Sequence, residues 1–214
     1  MGERASFVLA SASPARLRTL RAGGIEPTVV VSGVDESLVE ASDPAALSAT
    51  LARLKAEAVA DRIPTGPAGS RVVVLGCDSV LEFDGQALGK PADAADARQR
   101  WRRMRGHSGT LHTGHCLVDV PERARAEAVA SVTVHFADMS DEEIAAYVGT
   151  GEPLHVAGAF TIDGLGGWFV EGIEGDPGTV IGVSLPLLRR LLAKLELRVH
   201  DLWAGPPAPV TSVP

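Results

Sequence analysis

The chain has 214 residues, 45% of them apolar and 22% charged, the make-up of a globular protein with enough chain to bury a sizeable core rather than of a disordered or fibrous one. Twenty Lys and Arg against 27 Asp and Glu give a net charge of −7, which disfavours non-specific binding to nucleic acid or an anionic membrane, so an anionic ligand needs a local basic site. Cys77 and Cys116 are too few for a disulfide framework or a four-ligand zinc site, no stretch approaches the roughly 20 apolar residues of a membrane span, and the apolar run at 7–10 is too short for a signal-peptide core; a soluble protein of the reducing cytoplasm is expected.

Residues 7–10 read as a short buried strand, followed by Ser11-Ala12-Ser13-Pro14 and a helix through Ala22. Ser13 serves as N-cap, and Pro14 sits at the first helical position, where its missing N–H costs nothing. A strand, a serine loop and a helix leave backbone N–H groups and the positive end of the helix dipole facing whatever lies above the loop, and Arg16 adds charge there. A plain capped helix accounts for the same residues equally well, because the longer glycine pattern of a P-loop is missing. Residues 27–34 form a β-type run that leads into Asp35-Glu36. Asp43-Pro44 repeats the cap-then-proline signal, and Leu47, Leu51, Leu54 and Ala58 follow one helical face until Pro64.

After the glycine- and proline-rich loop at 65–70, residues 71–76 are a nearly continuous Val/Leu run, the pattern of a strand buried on both faces. It delivers Asp78 and Ser79 at its carboxyl end, where ligand groups collect in open α/β sheets. A carboxylate there can hold a divalent cation or take a proton from water. With a pKa of about 3.9 an Asp is a weak base, and a metal repairs that weakness by acidifying the attacking water. A cap or turn aspartate is the plainer reading, and Glu36, Lys55 and Lys90, each alone, are ordinary surface charges.

Residues 82–86 read as a hairpin with Asp84-Gly85 at its tip, returning Lys90 close to the strand of Asp78. Residues 93–105 form a helix with Ala97, Trp101 and Met104 inward and five arginines outward, a solvated face in preference to a nucleic-acid surface. Residues 110–120 and 128–136 are β-like. His107, His112 and His115 match no zinc spacing and read as structural. Ser140 to Glu143 is a capping box before a helix with Ile144 and Tyr147. A glycine-rich stretch at 157–182 precedes an amphipathic helix at 186–195, and the run Ala-Gly-Pro-Pro-Ala-Pro after Trp203 reads as a disordered tail. No repeat or linker divides the chain. The expectation is one α/β domain over 1–203 and a Pro-rich tail over 204–214.

Several of these segments resemble, in register, the Maf-like family of nucleoside triphosphate pyrophosphatases. They are Leu9-Ala10-Ser11-Ala12-Ser13-Pro14-Ala15-Arg16, Val34-Asp35-Glu36, Leu51-Ala52-Arg53-Leu54-Lys55-Ala56, Gly76-Cys77-Asp78-Ser79-Val80, Leu88-Gly89-Lys90-Pro91 and His112-Thr113-Gly114. The pattern continues through Ala157–Gly166 and closes at Val180-Ile181-Gly182-Val183-Ser184-Leu185-Pro186, so the likeness spans about 7–197. The resemblance implies a mixed β-sheet flanked by helices, with two lobes around a deep cleft, in a cytoplasmic homodimer. It implies cleavage of a nucleoside triphosphate between the α and β phosphates, giving monophosphate and pyrophosphate with Mg²⁺ or Mn²⁺. By motif position Asp78 is the proton acceptor, Glu36 and Asp78 are the metal contacts, and Ser11, Ser13, Arg16, Lys55, Ser79, Lys90 and Asp163 bind substrate; neither nucleic acid nor membrane is an implied partner.

Two departures bear on the base. Ala15 stands where many relatives carry an arginine, and Asp163 where many dTTP- and UTP-preferring relatives carry glutamine. An amide both donates and accepts, whereas a carboxylate only accepts, so the preferred base stays open. Rival readings are a nucleotide-binding regulator of cell division with little turnover, and an RNA-binding module on the arginine helix whose affinity falls steeply with salt.

Overall fold

A computed structural model of the chain describes residues 5–39, 41, 43–64 and 71–204. The loop at 65–70 and the expected tail from 205 onward lie outside the described residues. Ala204, placed in the tail by composition, donates its N–H to the Gly24 carbonyl at 2.8 Å.

In chain order the elements are β1 (Ser6–Leu9), α1 (Pro14–Ala22), β2 (Thr28–Val29), α2 (Pro44–Ala60), β3 (Val72–Phe83) and β4 (Gln86–Leu88). Then come α3 (Ala94–Met104), β5 (Ser108–Asp119), β6 (Arg125–Phe136), α4 (Asp141–Gly149), β7 (Val170–Glu174), α5 (Pro177–Ile181) and α6 (Leu185–Lys194). Among the described residues the strands form one sheet in the order β2-β1-β3-β5-β6-β7, with β4 also on β3. β1 runs parallel to β2 and β3, and the remaining pairs are antiparallel. It is a mixed sheet flanked by helices, as the motif resemblance implies. The caps act where the sequence marks them: Ser13, Asp43 and Ser140 each accept a backbone N–H in the first turn of the helix that follows, and Asp93, read from sequence as the first helical residue, caps α3 in the same way.

Two expectations are corrected. The β-type run at 27–34 keeps only Thr28–Val29 as strand, because the chain then turns away: the Val31 and Ser32 carbonyls accept from Arg62 Nη2 at 2.7 and 3.2 Å, and Gly33 takes φ +73°. The Val/Leu run does not stop at Gly76. β5 pairs with it without a break from Val73 to Glu82, so β3 continues to Phe83 and Asp78 and Ser79 lie in mid-strand.

That long strand passes through two cores. Around its first half, Leu9, Leu20, Leu75, Cys77 and Leu117 pack with Leu188, Leu191 and Leu192 of α6 on one face, and Val8, Val74, Cys116 and Val118 with Ala52, Ala56 and Val59 of α2 on the other. Around its second half, Leu81, Leu111, Val134 and Phe136 pack against Trp101 and Met104 of α3 and Ile144 and Tyr147 of α4. Trp101 is fully buried, donates its indole N–H to Ala159 O at 2.9 Å and stands edge-on to Phe136 and Tyr147.

The seating of α2 is unusually close. A Cβ on Gly76 would lie 2.1 Å from the Ala52 carbonyl oxygen, and one on Gly114 would lie 2.2 Å from that of Ser48. Helix backbone therefore rests on strand backbone, which requires glycine below and the small residues Ser48, Ala52 and Ala56 above. Among the described residues no helix is long and apolar enough to cross a membrane.

Candidate active site

β1 ends at Leu9, opposite Leu75, and β4 joins β3 only at Leu81. Between these points, over residues 76–80, β3 has a strand neighbour on its β5 side alone among the described residues, and its other edge opens into a cavity of about 890 Å³. The loop at 11–13, released where β1 stops, turns over this opening into α1. Residues 31–39, which left the sheet, form another wall. Ser11, Ser13, Arg16, Glu36, Lys55, Asp78, Ser79, Lys90 and Asp163 all line this one cavity.

At its floor Lys55 Nζ holds two carboxylates, Asp78 Oδ1 at 2.5 Å and Glu36 Oε1 at 2.7 Å. Gly76 and Asp78 point to the same face of β3, so the close seating of α2 on Gly76 is what brings Lys55 down to Asp78. Both side chains are only 9% exposed. Burial pushes the Asp78 carboxyl above the usual carboxylate range, against the pull of the Lys55 and Arg16 charges. Asp78 Oδ2 has no hydrogen-bond partner among the described residues and is the atom free to take a proton or a cation. Among those residues no group of three or more His, Cys, Asp or Glu side chains gathers as a metal cage.

Arg16 is tethered at three points. Its Nε donates to Gly182 O at 3.2 Å, Nη1 to Ser11 Oγ at 3.1 Å and Nη2 to Ser79 Oγ at 3.2 Å. Three of the five guanidinium donors are thereby used, and the remaining two suit a bidentate anion. Ser13 Oγ caps α1 through the Arg16 N–H at 3.4 Å, and Ser11 Oγ also accepts the Ser13 N–H at 3.1 Å. Lys90, exposed on the rim, makes no ion pair among the described residues. Its segment is fixed from behind by Gly89 O, which accepts from Arg100 Nη1 at 2.7 Å and from Gly158 N at 3.0 Å.

Across the cavity, Asp163 accepts from Arg18 Nη2 at 2.7 Å and from the Thr161 hydroxyl. Burial alone would raise its carboxyl, but these bonds and the Arg18 charge hold it below the ordinary value. Glu152 organises the adjoining loop by accepting from Tyr147 Oη at 2.9 Å, Leu165 N at 3.0 Å and Gly166 N at 2.8 Å. Sequence reasoning passed over Arg18, Glu152 and Thr161. Arg18 lies one helical turn beyond Ala15, so a cation on the same face as the missing arginine was the available signal.

His107, His112 and His115, the histidines that read as structural, lie outside this lining, whereas His155 is part of it. His115 is buried between Thr113 O and Ser184 N, each at 2.9 Å, and His112 bridges Glu82 and Ser131 across three strands. Four of the five α3-region arginines engage Asp84, Asp96, Asp141, Gln86 or nearby carbonyls.

A family model described as Maf-like protein matches residues 6–195. The chain belongs to the Maf-like family. It is 69% identical over 198 residues to a protein of Salinispora tropica named Nucleoside triphosphate pyrophosphatase, covering 92% of this chain and 87% of that one. Relatives of the same name are 56% identical over 201 residues in Streptomyces coelicolor, covering 94% and 96%, and 46% identical over 213 residues in Mycobacterium marinum, covering 95% and 99%. Among solved structures, the Staphylococcus aureus Ham1 protein matches this Maf-like chain at TM-score 0.43 and 13% identity over 92% of this chain and 93% of the other.

Proposed function

We propose that the protein hydrolyses nucleoside triphosphates between the α and β phosphates to a nucleoside monophosphate and pyrophosphate. The observation that carries this reading is the meeting of Asp78 with Lys55, Glu36, Arg16 and Lys90 at one cavity, in a chain whose curated relatives bear the name Nucleoside triphosphate pyrophosphatase. A volume of about 890 Å³ lies within the range of pockets that enclose small-molecule ligands.

In the proposed reaction Asp78 Oδ2 accepts a proton from water, the water oxygen forms a bond to the α-phosphorus, and the bridging α–β oxygen leaves with pyrophosphate. Arg16, through its two spare donors, and Lys90 offset the charge gathering on the phosphate oxygens. Lys55 keeps the Asp78 carboxylate oriented.

The lining charges cancel: the cations Arg16, Arg18, Lys55 and Lys90 face the carboxylates of Glu36, Asp78, Glu152 and Asp163. A polyanion entering alone meets no net positive field, so the proposed substrate arrives with a divalent cation. Glu36 and Asp78 fit that role. They are hard oxygen donors no farther apart than the sum of their two contacts to Lys55 Nζ, and Mg²⁺ is commonly held by one or two carboxylates plus substrate phosphates rather than by an all-protein cage. When bound, such a cation supplies charge neutralisation and a more acidic attacking water. The proposed role is removal of surplus or non-standard triphosphates.

The test is a panel of nucleoside triphosphates with Mg²⁺ or Mn²⁺, following pyrophosphate against orthophosphate. Pyrophosphate release is expected, and Asp78→Asn is expected to lower it by at least roughly 100-fold while keeping the fold. Nucleotide binding without any pyrophosphate release favours a regulator, and orthophosphate alone overturns the α–β assignment.

A further inference from the structure

Thr113 lies on β5 directly across from Ser79 on β3. It is fully buried and is not among the side chains that line the cavity. A threonine hydroxyl carries a single hydrogen, and here it goes to the Thr179 carbonyl at 2.8 Å, an acceptor with no hydrogen of its own. The 2.9 Å contact between Ser79 Oγ and Thr113 Oγ1 must then be filled by the Ser79 hydrogen. Ser79 is left as an acceptor, and it accepts Arg16 Nη2 at 3.2 Å. The line runs in one sense from the Arg16 guanidinium through Ser79 and Thr113 to the Thr179 carbonyl, an arrangement in which each bond polarises the next.

α5 closes on the same guanidinium from its other end. Arg16 Nε donates to Gly182 O, and a Cβ on Gly182 would sit 2.9 Å from that Nε. The orientation of Arg16 is thus set from behind by one short helix through two routes, one of which passes through Thr113.

We propose that Thr113 is a positioning residue that, through Ser79, aims the two spare Arg16 donors at the polyphosphate. Ser79, which motif position implies among the substrate-binding residues, has committed its hydrogen to Thr113 and acts as a relay. This rests on the proposed polyphosphate function of the cavity.

Thr113→Val keeps the side chain's size and removes both hydrogen bonds, whereas Thr113→Ser keeps them. Two readouts apply: affinity for inorganic tripolyphosphate with Mg²⁺ by calorimetry, and kcat and KM for the best triphosphate. Thr113→Val is expected to weaken tripolyphosphate and lower kcat/KM by about tenfold, the order of one hydrogen bond to a charged group, and Thr113→Ser to stay within about twofold of wild type. In an Arg16→Ala background Thr113→Val is expected to add nothing, because nothing remains to be aimed. Should the valine variant unfold, Ser79→Ala cuts the same line from the other side and takes the same cycle. Wild-type affinity and turnover in Thr113→Val, equal damage from valine and serine, or a full loss that persists without Arg16 overturns the proposal. A wild type that binds tripolyphosphate yet releases no pyrophosphate from any nucleotide overturns the proposed reaction instead, and the binding cycle then decides the aiming role alone; a wild type that binds no tripolyphosphate overturns both.

Discussion

His115 fixes its own protonation. The Ser184 N–H points at Nε2, so Nε2 is the acceptor and Nδ1 carries the hydrogen donated to Thr113 O. Burial lowers the imidazole to about 4 from its ordinary 6.5, the Arg16 charge adds to this, and the Thr113 bond and Asp176 oppose it. The unfolded chain therefore takes up a proton as pH falls through about 6.5 while the native chain does not, and stability drains until about 4. The difference of 6.5 to about 4 corresponds to about 3 kcal/mol. Because the raised Asp78 carboxyl works in the opposite sense, the comparison to make is wild type against His115→Gln. Urea unfolding at pH 7.5 and 4.5 is expected to give a steeper fall for wild type; parallel falls would remove this account. At this scale the site was legible wherever a chemistry-bearing side chain stood inside a recognisable string, as Asp78, Lys55 and Arg16 do. Glu152, Thr113 and Arg18 matter through partners as far as 14, 66 and 145 residues away in sequence, and such long-range pairings, like cross-strand register, are not written in composition or period.

Helix α2 illustrates the same limit one level up. Its apolar repeat predicts a helix that ends before Pro64, and it ends at Ala60. Its apolar face was read from Leu47, Leu51, Leu54 and Ala58, and nothing local says that the small residues Ser48, Ala52 and Ala56 meet Gly76 and Gly114. Gly76→Ala pushes a methyl into the Ala52 carbonyl, lifts α2 and with it Lys55. The expected cost is about 1–3 kcal/mol, read as a lower urea midpoint at unchanged slope, with activity reduced in the protein that remains folded. A variant with wild-type midpoint and activity would show that the helix yields freely. The missed end of β2 has a different cause: Val30, Val31 and Val34 have strand propensity, but Gly33 takes a positive φ and the Val31 and Ser32 carbonyls found the Arg62 guanidinium, and tertiary partners override propensity.

Across the whole molecule, the α/β class followed from strands interleaved with capped helices and the mixed sheet from the motif resemblance, whereas the order of strands and the continuity of β3 past Asp78 followed from neither. One partly buried pair ties the sheet to the C-terminal helix: the half-buried Arg71 donates to Asp119 Oδ2 at 2.7 Å and to the Leu195 carbonyl, and the Asp119 side chain is wholly buried. Arg71→Met strands that carboxylate in the core, with an expected loss of about 3–5 kcal/mol and earlier thermal unfolding by calorimetry; a midpoint unchanged from wild type would mean that Asp119 finds another partner. β3, β5 and β6 each run 12 residues and belong to both cores at once. A hinge would have to bend all three together and break the ladder between them, so the halves of this protein are not free to clamp like jaws. Whatever tightening accompanies a bound nucleotide falls to the non-strand walls around residues 31–39 and 152–165, moving over a floor that stays still.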